Sequence, residues 1–502
     1  MFATVRSTTL LGVVGRAVDV EVHVGVGLPG FTIVGQPDEV CRESRDRVRA
    51  AFLSRAFSWP NRRITVNLAP SGERKGGSGL DLAIAIAVLI ADEQLPPHVA
   101  NNTAFAAELG LDGSLRGVVG AAPLIAAVRD RRVVVAAANV AAARAAGAND
   151  VVSADDLAAV VACLRGDATW NIVDVNSMMC DEASEPDLAD VRGQPVARLA
   201  LEVAAAGGHH LLLVGPPGAG KSMLARRLPG ILPPLSEQQA TACTMVHSAA
   251  HVAMPASGRI TRPPFRSPHH SVSLVGLIGG GTAAMRPGEV SLASDGVLFL
   301  DELGEFAPSV LDALRQPIEE GVVHVSRART TLTFPARFLL VAAANPCPCG
   351  SGAPGVCVCD DAARARYIRR FSGPLLDRFD LRVHVGLPDV DDLVGGVRGE
   401  SSVEVASRVR AARDLAFARN GGVNATIAVD DLDRVAPLSP GARAMVRYEL
   451  ERGRLSGRGL HRVRRVARTI ADLDAATTVG EAHVATALQL RSGLAMLTRA
   501  TQ

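Results

Sequence analysis

"GPPGAGKS", residues 215–222, fits the pattern G-x-x-x-x-G-K-S and stands between an apolar stretch, "HHLLLVG" (His209–Gly215), and the start of a predicted helix. Strand, glycine-rich turn and helix, in that order, form the context in which backbone N–H groups curl around phosphates. Gly215, Pro216, Pro217, Gly218, Ala219 and Gly220 make the loop, Lys221 is placed to reach β and γ phosphates, and Ser222 to ligate Mg²⁺. Apart from Lys75 and Lys221 every basic residue of the chain is arginine, so a lysine at 221 stands out against a strong compositional bias. The stretch therefore predicts an α/β fold that binds a nucleoside triphosphate.

Two further apolar runs extend that prediction. "GVLFLDELGEF" (Gly296–Phe306) reads as a buried strand ending in Asp301 and Glu302. Carboxylates at the C-terminal end of such a strand lie beside a phosphate loop, where one holds the Mg²⁺ shell and the other orients or deprotonates water. "RFLLVAAAN" (Arg337–Asn345) reads as a third strand, ending in an amide placed to sense the γ-phosphate.

Just beyond Asn345, "NPCPCGSGAPGVCVCDD" carries two Cys-x-Cys pairs, Cys347/Cys349 and Cys357/Cys359, out of eight cysteines in the chain. Four thiolates so spaced can converge on a tetrahedral Zn²⁺, and the Gly and Pro between them suit a tight reversal. Free buried thiols and a redox sensor are the other readings of the same spacing. A cysteine nucleophile has no His/Asp partner in the pattern.

The rest of the chain frames this core. Its 502 residues suggest about three domains, and 48% hydrophobic with 3% aromatic residues describes a globular protein. A net charge of +2 gives no basic field over the whole molecule, so nucleic-acid contact would have to come from local arginines. The longest strongly apolar run, Leu82–Ala91, is about half of what a bilayer-spanning helix needs. No membrane span and no secretion signal is expected, which places the thiols in a reducing cytoplasm. Residues 1–166 read as mixed α/β, with alternation in "VDVEVHV" (Val18–Val24) and "RITVNLAP" (Arg63–Pro70) and helical patterns over Asp38–Phe57 and Ser78–Ala91. Residues 167–192 read as a linker, 193–388 as the nucleotide-binding α/β domain, and 389–502 as helical throughout.

From Gly193 onwards the chain resembles the AAA+ ATPases of the magnesium-chelatase-like branch. "FRSPHHSVSLVGLIGGGTAAMRPGEVSLASDGVLFLDELGEF", "LRQPIEEG", "FPARFLLVAAANPCPCG" and "SGPLLDRFDL" are similar to the ComM/YifB-type group of competence-related DNA helicases. The likeness reaches "GLPGFTIVGQPDEVCRESRDRVRAA" and "RRITVNLAPSGERKGGSGLDLAIAI" near the start and "GRGLHRVRRVARTIADL" near the end.

The resemblance implies Lys221 and Ser222 as the Walker A pair, Asp301 and Glu302 as the Walker B pair, and Asn345 as sensor 1. It implies Arg378 of "LLDRFD" as an arginine finger reaching the neighbouring subunit's nucleotide, and Arg458 of "SGRGL" as sensor 2, with Arg462 close enough to compete. Pro264–Glu289, with "GLIGGG" as a flexible pore-loop tip, would be a helix-2 insert, and Val322–Phe334 a hairpin before sensor 1. Arg327 and Arg329 of that hairpin would either track DNA phosphates or serve subunit contacts alone.

The first region resembles the Lon-protease-like ribosomal S5 fold, with Ser78 of "KGGSG" where the catalytic serine lies. Ala122 stands where the lysine of a Ser–Lys dyad should, and Lys75 cannot take that role, so a binding or assembly module is expected. The implied whole is a C-terminal helical lid on an AAA+ core, using ATP and Mg²⁺. It would assemble as a homo-hexamer that moves single-stranded or branched DNA, in the manner of a branch-migration helicase. A protein remodeller or a magnesium-chelatase motor subunit is the alternative, against which the Lon-like first domain and the missing integrin-like metal-binding domain speak.

Overall fold

The computed structural model describes residues 1–171, 185–281, 285–327, 330–350, 357–371, 373–395 and 398–491. Arg329 and residues 172–184, half of the expected linker, lie outside them, as do residues 282–284, within the expected insert. The chain forms two compact units, one of Met1–Glu182, Ser236–Thr261 and Gly280–Pro287, the other of Ala183–Leu235, Arg262–Gly279 and Gly288–Gln502.

The first unit is built on a seven-stranded mixed sheet. Its strands are β1 (Phe2–Leu11), β2 (Val14–Gly25), β3 (Gly30–Val34), β4 (Arg63–Ala69), β5 (Thr103–Ala106), β6 (Arg132–Val135) and β7 (Val151–Ser153), in the order β3-β4-β2-β1-β5-β6-β7. Val18, Val20, Val22 and Val24 of β2 and Ile64, Val66 and Leu68 of β4 are buried, the one-sided alternation expected of an antiparallel pair with one face on a core. The helix Asp81–Ala91 covers that face and is buried at every residue. Being apolar all round after its first residue, it has no solvent stripe to show. Its first residue, Asp81, is fully buried and held by Arg47 through Nε at 2.6 Å and Nη2 at 3.0 Å. Burial pushes the Asp81 carboxyl up, and the Arg47 hydrogen bonds pull against it.

The chain leaves the second unit between Leu235 and Arg262 and adds the helix Glu237–Ala249 to the first. Gly120 N–H donates to the Ser248 carbonyl at 3.1 Å, Ala122 N–H to Ser248 Oγ at 3.2 Å, and Met245 packs on the alanine- and valine-rich face of β5 and β6.

The second unit holds a five-stranded, all-parallel sheet of β8 (Leu211–Val214), β9 (Phe265–Arg266), β10 (Val297–Leu300), β13 (Leu339–Ala344) and β14 (Leu381–His384), in the order β9-β10-β13-β8-β14. β11 (Val322–Arg327) and β12 (Thr330–Pro335) form the expected hairpin apart from it. Strands covered on both faces divide their side chains between two cores. Leu211, Leu213, Val297, Phe299, Val341 and Ala343 face the helices Pro195–Gly207, Ser402–Asn420 and Gly457–Leu473. Leu212, Val214, Leu298, Leu300, Leu340 and Ala342 face Leu303, Phe306, Leu311, Tyr367 and Phe371. Each of these valine, leucine and phenylalanine side chains contributes roughly 1.5–3 kcal/mol by leaving water. Among the described residues beyond β14 every regular element is helical, so the chain is mixed α/β with parallel strands and a helical C-terminal region.

Candidate active site

β8, β10 and β13 lie side by side and in parallel, so the loops leaving their C-terminal ends fall together. The loop after β8 starts at Gly215, where a Cβ would stand 2.0 Å from the Val385 carbonyl oxygen, a place only glycine can occupy. Gly218 and Gly220 take φ of +80° and +85°, which lets the loop turn back on itself before the helix that begins at Lys221.

Lys221 is buried, and its ammonium donates to the Gly215 carbonyl at 2.6 Å, the Pro216 carbonyl at 2.9 Å and Asn345 Oδ1 at 3.1 Å. These three acceptors match the three donors of an ammonium. Desolvation lowers the Lys221 pKa, and the nearby charges of Asp301 and Glu302 work against that. Ser222 Oγ donates to Asp301 Oδ2 at 2.6 Å. A hydroxyl and a carboxylate that close suit a shared Mg²⁺ shell, and a buried ammonium that takes only oxygen acceptors suits phosphate. The residues present therefore fit Mg²⁺ with a nucleoside triphosphate.

Glu302 is exposed and held at φ +50°, ψ +52°, a left-handed conformation that costs a non-glycine residue about 1–3 kcal/mol. Its N–H donates to Asp301 Oδ1 at 3.0 Å, and its carboxylate lies 3.8 Å from His270 Nδ1. The His269 and His270 rings lie with centroids 4.0 Å apart and planes tilted by 35°. No motif spacing points to His270, and its one signal in the sequence is the adjacent histidine pair in "SPHHS".

Arg378 and Arg458 come together elsewhere in this unit, in a cavity of about 210 Å³ lined also by Glu319, Asp377, Arg462 and Arg491. The Arg378 guanidinium donates to Glu319, whereas Arg458 is exposed. Arg462 Nη1 is held by the Arg378 carbonyl at 3.1 Å and by Asp380 Oδ1 at 2.5 Å. Burial alone would push the Asp380 carboxyl up, but the His209 hydrogen bond and the charges of His209 and Arg462 hold it well below the usual carboxylate range. Arg462 thus anchors the helix Gly457–Leu473 to the segment leading into β14, and Arg458 presents the more accessible guanidinium. None of the loop residues 215–222 lines the cavity.

The four cysteines converge. Cys347 Sγ lies 3.3 Å from Cys349 Sγ and 3.5 Å from Cys357 Sγ, Cys349 and Cys357 are 3.5 Å apart, and all four sulfurs fall within 4.8 Å of one another. Cys347 is buried and Cys349 exposed. A tetrahedral Zn²⁺ with Zn–S bonds of about 2.3 Å sets its sulfurs about 3.8 Å apart, within this range, while a disulfide would need about 2.05 Å.

Residues 187–393 match the family described as magnesium chelatase, subunit ChlI, residues 20–139 that of subunit ChlI of Mg-chelatase, and residues 399–491 the subunit ChlI C-terminal family. An uncharacterized protein of Mycobacterium tuberculosis is 44% identical over 492 residues, covering 97% of each chain. The uncharacterized protein YifB of Escherichia coli is 42% identical over 97% of this chain and 96% of its own. The competence protein ComM of Haemophilus influenzae is 41% identical over 99% of this chain and 98% of its own. The chain belongs to the ComM/YifB-type magnesium-chelatase-like family. The matched segments thus lie in both compact units and the helical end, and Lys221, the four cysteines, Arg378 and Arg458 fall within them. No helix among the described residues is long and apolar enough to cross a membrane.

Proposed function

We propose that this chain is the subunit of a homo-hexameric AAA+ ring that hydrolyses ATP to move along single-stranded or branched DNA, driving branch migration while incoming strands are integrated by homologous recombination, as in natural transformation. The observation that carries the nucleotide reading is the cluster of Lys221 on Asn345 and Ser222 on Asp301. The DNA reading is supported by the likeness to a relative named a competence protein. On this reading the cofactors are ATP with Mg²⁺, and Zn²⁺ at Cys347, Cys349, Cys357 and Cys359, and the protein works in the cytoplasm.

Bound ATP with Mg²⁺ supplies the phosphoryl group to be transferred. Lys221 exchanges the Gly215 and Pro216 carbonyls for phosphate oxygens, an ammonium already desolvated and aimed by its loop. Ser222 and Asp301 hold the cation shell, Asn345 orients the far end of the phosphate chain, and Glu302 positions and deprotonates the attacking water. Arg378, with Arg458 beside it, supplies positive charge to the site of the next subunit. The cavity's separation from the phosphate loop supports that assignment. The first unit acts as a Lon-like module for binding or assembly without proteolysis, since the buried methyl of Ala122 offers Ser78 no base.

ATP hydrolysis measured with single-stranded, duplex and branched DNA tests the whole reading. Stimulation by DNA, strongest with branched substrates, is expected. Hydrolysis indifferent to every DNA but raised by a protein partner would replace the DNA motor with a remodelling chaperone or chelatase-type motor.

A further inference from the structure

The segments that carry the cysteine cluster reach three parts of the candidate ATP site. Cys347 lies two residues beyond Asn345, on the segment that leaves β13. Gly350, in a turn closed by its N–H to the Cys347 carbonyl at 2.9 Å, takes φ +82° and packs directly on the phosphate loop: a Cβ there would stand 2.8 Å from Pro217 Cγ and Cδ. Cys359 precedes Asp360, whose carboxylate caps the helix Asp361–Arg370 by accepting from Ala363 N–H at 2.6 Å. From that helix Tyr367 donates its hydroxyl to the Asn345 carbonyl at 3.0 Å, and Arg370 donates to the Gly304 carbonyl at 2.9 Å, two residues past Glu302.

Without a metal, four neutral thiols at this spacing attract one another only weakly, and four thiolates would repel. A divalent cation turns the same geometry into a cross-link between the segment leaving Asn345 and the segment entering the helix.

We propose that Cys347, Cys349, Cys357 and Cys359 bind one Zn²⁺ and that the loaded clip is a strut, holding Pro217 and Asn345 in the arrangement that accepts the nucleotide. Loading forms four Zn–S bonds and releases the thiol protons to solvent. The strut rests on the reading of the Lys221 cluster as an ATP site. Its effect is local: with the clip open, Gly350 no longer backs the phosphate loop and Tyr367 no longer fixes the Asn345 backbone. A hydrogen bond to a charged partner is then misplaced, a loss of about tenfold or more in affinity.

The test uses the full chain, purified under reducing conditions without chelators, with metal content measured by mass spectrometry and affinity for a fluorescent ATP analogue measured by titration. About one zinc per chain is expected, and the double variant Cys347→Ser, Cys359→Ser is expected to lack it and bind the analogue about tenfold more weakly. Gly350→Ala guards against a mere folding defect: it keeps its zinc, yet its methyl displaces Pro217 and weakens the analogue to a similar degree. Wild-type protein without zinc overturns the metal site. Zinc present, with affinity unchanged both on its removal and in Gly350→Ala, overturns the strut. Zinc-loaded wild type that binds the analogue no better than Lys221→Ala overturns the ATP-site reading, and the strut with it.

Discussion

The Lys221 cluster and the Arg378 cavity belong to the same compact unit but balance their charges in opposite ways. Lys221 is surrounded by acceptors from its own chain, two carbonyls, an amide oxygen and the nearby carboxylates of Asp301 and Glu302. The cavity sets four guanidinium groups, of Arg378, Arg458, Arg462 and Arg491, against the carboxylates of Glu319 and Asp377 on its walls. One region is a socket complete in its acceptors; the other carries a surplus of positive charge that suits an anion brought from outside. A ring in which each subunit offers its arginines to the phosphates of the next would use both.

The comparison breaks most visibly at its two leading residues. Lys221→Ala should fail to bind nucleotide, whereas Arg378→Ala should bind it and hydrolyse on the order of a thousandfold more slowly, as loss of an arginine finger does. Mixing the two variants should restore part of the ATPase activity, because some interfaces then pair an intact lysine with an intact finger. Mixed assemblies that stay inactive, or full activity in Arg378→Ala alone, would end the two-region account.

A second measurement separates the cavity's anchor from its working arginine. Arg462→Ala leaves the buried Asp380 carboxylate short of a cation and should cost about 3 kcal/mol in denaturant unfolding. Arg458→Ala, at an exposed position, should leave stability within about 0.5 kcal/mol and lower only the hydrolysis rate. Equal stability losses would show both to be structural.

Acid should loosen the cavity side first. His210 Nδ1 accepts from Leu340 N–H at 3.1 Å, and its carbonyl accepts from Asp380 and Leu381 N–H, so its imidazole is needed neutral. Desolvation, aided by the charge of Arg462, lowers its pKa from the ordinary 6.5 to about 4. Between those values the unfolded chain binds the extra proton, so stability should fall as pH drops from about 6.5 towards about 4, by up to about 3 kcal/mol in all. His210→Asn, which keeps an acceptor but does not titrate there, should flatten that part of the stability–pH curve; an unchanged curve would remove His210 as the cause.

The smallest expected effect lies on the hairpin. Replacing Arg327 and Arg329 with Ala should leave both regions' nucleotide chemistry intact while weakening DNA binding and lowering its salt slope by roughly two counterions. An unchanged slope would leave the hairpin to subunit contacts.

Much of the second unit was legible because its signals are local. Four consecutive apolar residues in β10 and six in β13 are runs short enough to read as buried strands, and a glycine-rich turn before Lys221 needs no distant partner to be recognised. The buried helix Asp81–Ala91 was equally plain from its continuous apolar run. The excursion of Ser236–Thr261 into the first unit left no such mark, since Met245 and Ser248 find their partners more than a hundred residues away. Nor did the contact of His270 with Glu302, or of Gly350 with Pro217, because neither follows from any spacing along the chain.

By itself the sequence determined which residue types could bind phosphate, cation and metal, and which runs could become strands or helices. Those properties follow from backbone conformation and side-chain chemistry within a few positions. Only the tertiary structure decided that Lys221 meets an amide 124 residues away, that Ser222 meets a carboxylate 79 residues away, and that Arg462 anchors the segment leading into β14 while Arg458 lies exposed in the cavity. Such pairings are set by the order of parallel strands in a sheet, and that order is chosen by the packing of the two cores on its faces rather than by any stretch of sequence alone.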